Sequence, residues 1–162
     1  MKRVIIYGSA LLVLLCTCGN VADRTKNDEK VQAEQRVEAE EKKPEGTVFF
    51  NISLEEALAK ANEEGKYVLV DCHTKTCGPC RKMEKTVFPQ IKCGEFINSR
   101  FVPIMVDMEE EAGIAIAEKY KVGIYPTYLV LSPDGNKQGE IVGAEFNLND
   151  FIAMFKKILH EK

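Results

Sequence analysis

The 162-residue chain has no excess of basic side chains: 22 Lys and Arg stand against 25 Asp and Glu, a formal charge of −3 at pH 7. A surface that tracks nucleic-acid phosphates needs a strong positive excess, so no nucleic-acid partner is expected. Nor is there an apolar run long enough to cross a bilayer. The longest, "VIIYGSALLVLLCTC" from Val4 to Cys18, has 15 residues, where a spanning helix needs roughly 20. From Gly19 to Gly46 aromatic residues are missing altogether and both charge signs are densely mixed. Such a segment buries no apolar area and stays solvated, as a tether or at most as a polar helix. No internal repeat appears, and no second domain fits.

What is present at the start is Met1-Lys2-Arg3, a short positive stretch ahead of the apolar run, which is the plan of an export signal. Residues 1–18 therefore read as a signal peptide, 19–46 as a charged flexible tether and 47–162 as one domain. Cys16 and Cys18 close the apolar run. A cysteine ending such a run, with a leucine three residues before it, resembles a bacterial lipobox. Leu15-Cys16-Thr17-Cys18 is the better frame, although Cys16 and Thr17 are not the usual small pair, and it implies Cys18 as a lipidated anchor. Ordinary secretion, a retained anchor, and two apolar fillers in a discarded signal are the competing readings.

From Thr47 the pattern becomes globular. "TVFFNI" reads as a strand, and Ser53 with Glu56 forms a capping box opening a helix over "LEEALAKANEE", which Gly65 ends. "KYVLVDCH" is a β-branched apolar run suited to a buried central strand. A helix follows from near Gly78, bent or broken at Pro89, with helical spacing resuming in "CGEFINSR". "FVPIMVD" is a strand and "EEEAGIAIAEKY" a helix. "PTYLVLS", the turn "PDG" and "KQGEIVG" form a hairpin. The last helix, "NLNDFIAMFKKILH", places Phe151, Met154, Phe155, Ile158 and Leu159 on one face. The order βαβαβαββα implies an α/β fold: parallel strands from the crossovers and an antiparallel edge from the hairpin make a central mixed β-sheet flanked by helices.

The chemistry concentrates in "DCHTKTCGPCR", Asp71 to Arg81. Cysteines spaced as Cys77 and Cys80, in a loop leading into a helix, can close a disulfide across one turn. Cys77 falls at the helix amino terminus, where free amides and the dipole stabilise a thiolate, and Cys80 lies one turn in, more shielded. That assigns Cys77 as nucleophile and Cys80 as resolving thiol. A buried Asp71 has a raised pKa and can exchange a proton with Cys80; the plain alternative is a capped strand end.

"CGPC" after a buried strand resembles the active site of the thioredoxin superfamily, and three more landmarks match in order. Asp71 stands six residues before Cys77, "GIYPT" matches a cis-proline loop carrying Tyr125-Pro126, and "VGA" matches a glycine, Gly143, bordering the substrate groove. The match covers about Thr47 to His160. The longer segment after the motif, with "KMEKTVF", resembles the secreted or periplasmic thioredoxin-like branch. The resemblance implies a thioredoxin fold and a redox-active Cys77–Cys80 disulfide, with Thr76, Gly78, Pro79, Tyr125, Pro126 and Gly143 lining the substrate groove. It implies no cofactor. The Gly-Pro pair matches the reducing members, so reduction of protein disulfides is favoured. A reductant in an oxidising compartment must be recharged, which implies a membrane electron donor as partner. Two departures stand out. Thr76 occupies the place of the usual tryptophan, in a chain with no Trp at all, and Pro103 stands for a lysine that often partners the buried acid, when aligned through Asp107.

Cys72, His73, Cys77 and Cys80 offer four candidate metal ligands, but adjacent residues on a strand face opposite ways, so Cys72 and His73 cannot both join the pair and no metal site is expected. Cys72 reads as a small buried hydrophobe. Cys93 is open between pairing with Cys72, staying free and acting as a third redox thiol. His73 reads as a rim residue able to tune Cys77, and His160 as a surface residue. The remaining functional alternatives are a non-catalytic binding or chaperone-like module and a metal-handling protein.

Overall fold

The computed structural model describes residues 46–161. The signal peptide, the candidate anchor Cys18 and all of the tether but Gly46 lie outside the described residues.

Helix α1 (Leu54–Glu64) begins on Ser53, whose Oγ accepts the Glu56 N–H at 3.2 Å while the Glu56 carboxylate accepts the Ser53 N–H at 2.8 Å. It ends on Gly65 at φ 64°, a left-handed cap that glycine adopts without strain. Strand β1 (Tyr67–His73) leads to α2 (Gly78–Thr86), α3 (Ile91–Arg100), β2 (Phe101–Asp107) and α4 (Glu111–Tyr120). The hairpin β3 (Thr127–Leu131) and β4 (Lys137–Val142) and helix α5 (Leu148–Ile158) complete the domain. The four strands lie in the order β2-β1-β3-β4. β1 runs parallel to β2 and antiparallel to β3, and β4 runs antiparallel to β3.

Strand alternation divides the core into two layers. Leu69, Tyr128, Val130 and Ile141 face Met83 of α2, Phe96 and Ile97 of α3, and Phe151, Ile152 and Phe155 of α5. Val68, Val70, Cys72, Ile104, Leu129 and Leu131 face Ala57 and Ala61 of α1 and Ile116 and Tyr120 of α4. Without tryptophan, the first layer is filled by edge-on aromatic contacts, among them Tyr128–Phe151 at 5.1 Å and Phe151–Phe155 at 5.0 Å between ring centroids.

Two expectations change, and a third takes one of its stated forms. The strand over Thr47–Ile52 reduces to a single parallel bridge, Phe50 with Ile104, in which the Phe50 N–H donates to the Pro103 carbonyl at 2.8 Å. A strand residue turns its N and its C=O to the same side, so the proline nitrogen also faces this edge and has no proton to continue the ladder. At Pro89 the helix after the motif is broken rather than bent, giving α2 and α3. On α5, Met154 is 40% exposed and Ile152 takes the inward place, because the buried stripe runs 151, 152, 155, 158, 159.

Gly113, in the first turn of α4, lies directly against the end of β2: a β-carbon there would overlap the Asp107 carbonyl and the Met108 Cα. Gly113→Ala should lower the unfolding free energy by about 1–3 kcal/mol, seen as a lower urea midpoint at unchanged m-value; a midpoint equal to that of the parent chain would mean α4 shifts freely.

Candidate active site

The chain leaves β1 at His73 and turns at once into α2. The Cys77 N–H donates to the Thr74 carbonyl at 3.1 Å, and the Arg81 guanidinium reaches back from the helix to donate to the Lys75 carbonyl at 2.7 Å. Lys75 pairs in turn with Asp107 at 3.3 Å and Glu110 at 3.1 Å on the β2–α4 connection. The loop is thereby tied to the helix it feeds and to the neighbouring strand.

Cys77 is the half-buried N-cap of α2 and Cys80, one turn in, is 2% exposed. They form a disulfide with Cα atoms 5.4 Å apart, and Cys77 Sγ accepts the Cys80 N–H at 3.2 Å. Pro79 at the start of the helix has no N–H to leave unsatisfied. In the reduced pair, the same N–H and the helix dipole favour a thiolate on Cys77 over one on the buried Cys80. Thr76, Gly78 and Pro79 are exposed around the pair.

Asp71 lies on β1 with its side chain on the Leu69 face of the sheet, the face covered by α2. It is 2% exposed, and its Oδ1 has no hydrogen-bond partner among the described residues. Burial, reinforced by the negative charge of Glu84, pushes its carboxyl up to about 8. A carboxyl in that range can hold or release a proton near neutral pH. Directly opposite on β3, the Tyr128 hydroxyl is also buried without a partner among the described residues, and burial together with the Asp71 charge holds it protonated, well above the usual phenol range.

The Pro126 loop arrives at the same end of the sheet. Thr127 pairs with Cys72, so the residues just before Thr127 and those just after Cys72 leave the sheet together. The Tyr125–Pro126 bond is cis. The Thr127 hydroxyl donates to the Ile124 carbonyl at 2.7 Å, bracing the loop from beneath. The Gly143 N–H donates to the Pro126 carbonyl at 2.8 Å, bringing the end of β4 against it.

The other candidates disperse. Cys72 is buried in the α1–α4 layer and Cys93 in the opposite one, both are free thiols, and burial raises both. They are therefore unpaired with each other, and Cys72 points away from the layer that holds α2. His73 is half-buried, its Nδ1 3.4 Å from the Asp71 carbonyl, and His160 is exposed.

The domain thus carries a helix-capping dithiol at the end of a mixed sheet and a buried carboxyl on the sheet face that the same helix covers. Residues 54–159 match the model of the thioredoxin-like domain family, and the chain belongs to that family, its described residues forming a thioredoxin fold of four strands and five helices. The chain is 32% identical over 108 residues to the thiol:disulfide interchange protein DsbD of Pseudomonas fluorescens, 65% of this chain but 18% of that one. It is 36% identical over 87 residues to an H-type thioredoxin of Oryza sativa subsp. indica, 54% of this chain and 66% of that one. The solution structure of a proposed disulphide-isomerase from Bacteroides thetaiotaomicron is similar at a TM-score of 0.66 and 34% identity, covering 73% of this chain and 97% of that one.

Two features escape sequence reasoning. Pro103 lies opposite Leu69, and the residue opposite Asp71 on β2 is Met105, so the lysine's place beside the acid is taken by a thioether. Glu84 is the second. It lies four residues after Cys80 on the helix face that also buries Met83, and an acid on that inward stripe was the available signal.

The sign of the pH effect follows from the ordinary value of 3.8 and the raised one of about 8. Between these two the folded chain holds a proton that the unfolded chain has lost, so Asp71 lowers stability progressively as pH rises across that window and by a constant amount above it. Asp71→Asn should therefore raise the unfolding free energy at pH 8 by roughly 2–5 kcal/mol, more than at pH 5, measured by urea denaturation. Glu84→Gln should move the Asp71 titration to lower pH, followed at its carboxyl carbon by NMR. An unmoved titration would separate the two acids.

Proposed function

We propose that the protein is an exported thiol:disulfide oxidoreductase working in the reducing direction on protein disulfides. The observation that carries this reading is the asymmetry of the pair: a half-buried helix-capping Cys77 accepting an amide proton, joined to a buried Cys80, with a buried acid on the sheet face that the helix covers. In the reduced protein the Cys77 thiolate attacks one sulfur of a substrate disulfide. A mixed disulfide forms, and the other substrate sulfur leaves as a thiolate that takes a proton from solvent. Asp71 accepts the Cys80 proton, and the resulting thiolate attacks Cys77 Sγ. The second substrate thiol is released, two electrons have passed to the substrate, and the protein is left with the Cys77–Cys80 disulfide. Thr76, Gly78, Pro79, Tyr125, Pro126 and Gly143 border the groove in which the substrate segment lies.

The oxidised protein must be re-reduced by a dithiol donor. The DsbD relatives, which are thiol:disulfide interchange proteins, support a membrane electron-donor partner and an exported setting. Residues 1–18 serve as the export signal, Cys18 as the lipid anchor, and residues 19–46 as the tether holding the domain off the membrane. Among the described residues no helix is long and apolar enough to cross a membrane.

An insulin-reduction assay with a supplied reductant tests the reading. The parent chain should accelerate precipitation of the insulin B chain, Cys77→Ser should fall to the rate of the reductant alone, and Cys80→Ser should accumulate a trapped mixed disulfide. A parent chain no faster than the reductant would leave a non-catalytic binding module instead. For the anchor, Cys18→Ser should move the protein from the detergent to the aqueous phase on partitioning, and unchanged partitioning would remove the lipid.

A further inference from the structure

Beside the dithiol an aromatic ring is left in solvent. Phe146 is 41% exposed, and its face lies 3.9 Å from Lys82 Nζ, on α2 two residues beyond Cys80. Three residues before Phe146, the Gly143 N–H is bound to the Pro126 carbonyl, so the segment 143–146 runs from the Pro126 loop to the outer face of the helix that carries the dithiol. Gly143 turns there at φ 92°, a conformation strained for any other residue, which fixes the path of the segment. The ring is held against the dithiol helix by a tertiary cation–π contact rather than packed in the core.

The solvent-facing charges of the helix beneath it are basic. Arg81, Lys82 and Lys85 face solvent on α2, and none is paired with a carboxylate among the described residues. Among the acids nearby, Asp107 and Glu110 pair with Lys75 and Glu84 is half-buried, while Glu145 keeps its charge beside the ring and accepts the Asn147 N–H at 2.7 Å. In a chain of net charge −3, three cations against the one charged Glu145 leave a local basic excess on the helix that carries the dithiol.

Resting on the oxidoreductase reading, we propose that Phe146 and Lys82 form one docking contact, and that the preferred substrate is an extended protein segment carrying an apolar side chain and a carboxylate within a few residues of its cysteine. The apolar side chain lies on the free edge of Phe146 and the carboxylate pairs with Lys82 and Arg81. Thr76, in a chain without tryptophan, supplies no aromatic ring to the site, and Phe146 is the exposed ring held on the dithiol helix.

The pre-reduced full chain would be mixed in stopped-flow with 2-hydroxyethyl disulfide and with two disulfide-bonded peptides of identical sequence except for Asp or Lys beside the cysteine, each with a neighbouring Leu. The Asp peptide should react about tenfold faster than the Lys peptide, and the preference should vanish on raising NaCl from about 0.02 to about 0.5 M. Lys82→Gln combined with Arg81→Gln should remove the preference at low salt. Phe146→Ala should lower the ratio of peptide rate to small-disulfide rate by about tenfold, the order of one lost apolar contact, with Phe146→Leu restoring most of it. Ile114→Ala, an exposed apolar residue on α4, should leave that ratio unchanged. A parent chain that reduces 2-hydroxyethyl disulfide but reacts equally with both peptides, or a Phe146→Ala ratio within twofold of the parent, overturns the docking contact alone. A parent chain inert toward 2-hydroxyethyl disulfide overturns the oxidoreductase reading and this one with it.

Discussion

The reactive end of the molecule depends on β1 being gripped from both sides in one register. Seven residues pair with β2 and five of them also with β3, so the alternation of that strand has no freedom. A slip of a single residue would turn Asp71 into the α1–α4 layer and bring Cys72 beneath α2. The same pairing sets Thr127 against Cys72, which brings the Pro126 loop to the end of the sheet where the dithiol loop departs. Hydrogen bonds around the site then finish the arrangement: Arg81 to the Lys75 carbonyl, Thr127 to the Ile124 carbonyl, Gly143 to the Pro126 carbonyl. None of these would hold a site together if the strand beneath were free to shift.

A cost in stability is built into this arrangement. An unpaired carboxyl in the interior opposes folding once it ionises, and Glu84 makes ionisation harder still. An apolar residue at position 71 would pack there without that penalty. In the proposed reaction the penalty has a use, because a carboxyl lifted to about 8 can take the Cys80 proton and return it within the neutral range. Tyr128 shares the same interior, and its hydroxyl, without a partner among the described residues, adds a second polar group to a layer of aromatic and aliphatic side chains.

Much of the fold was legible because its signals are local. The capping box at Ser53 and Glu56, Gly65 at the end of α1, Pro89 between α2 and α3, and the "PDG" turn act within a few residues of where they appear. The strand at Thr47–Ile52 failed because whether a segment pairs depends on what its neighbour offers, and the neighbour offers Pro103, a residue without a donor. Met154 was misplaced on α5 because a stripe a few residues wide admits more than one choice at its border, and only the packing against the sheet decides between 152 and 154. Pro103 was set beside Asp71 because aligning one strand by its end carries no information about the stagger between strands, which is what selects Met105.

The sequence by itself determined the chemistry: two cysteines spaced to meet across one helical turn, a proline and glycine between them, and an acid on the strand that leads there. These act over short distances along the chain, where bond lengths and helical pitch leave little choice. Tertiary structure alone decided which groups surround that chemistry. Glu84 presses on Asp71 and Met105 faces it, Cys72 and Cys93 part to opposite layers, and Phe146 comes to rest on Lys82. Residues 64 apart along the chain, as Lys82 and Phe146 are, meet only when sheet register and helix packing have been set, and no local pattern encodes that meeting.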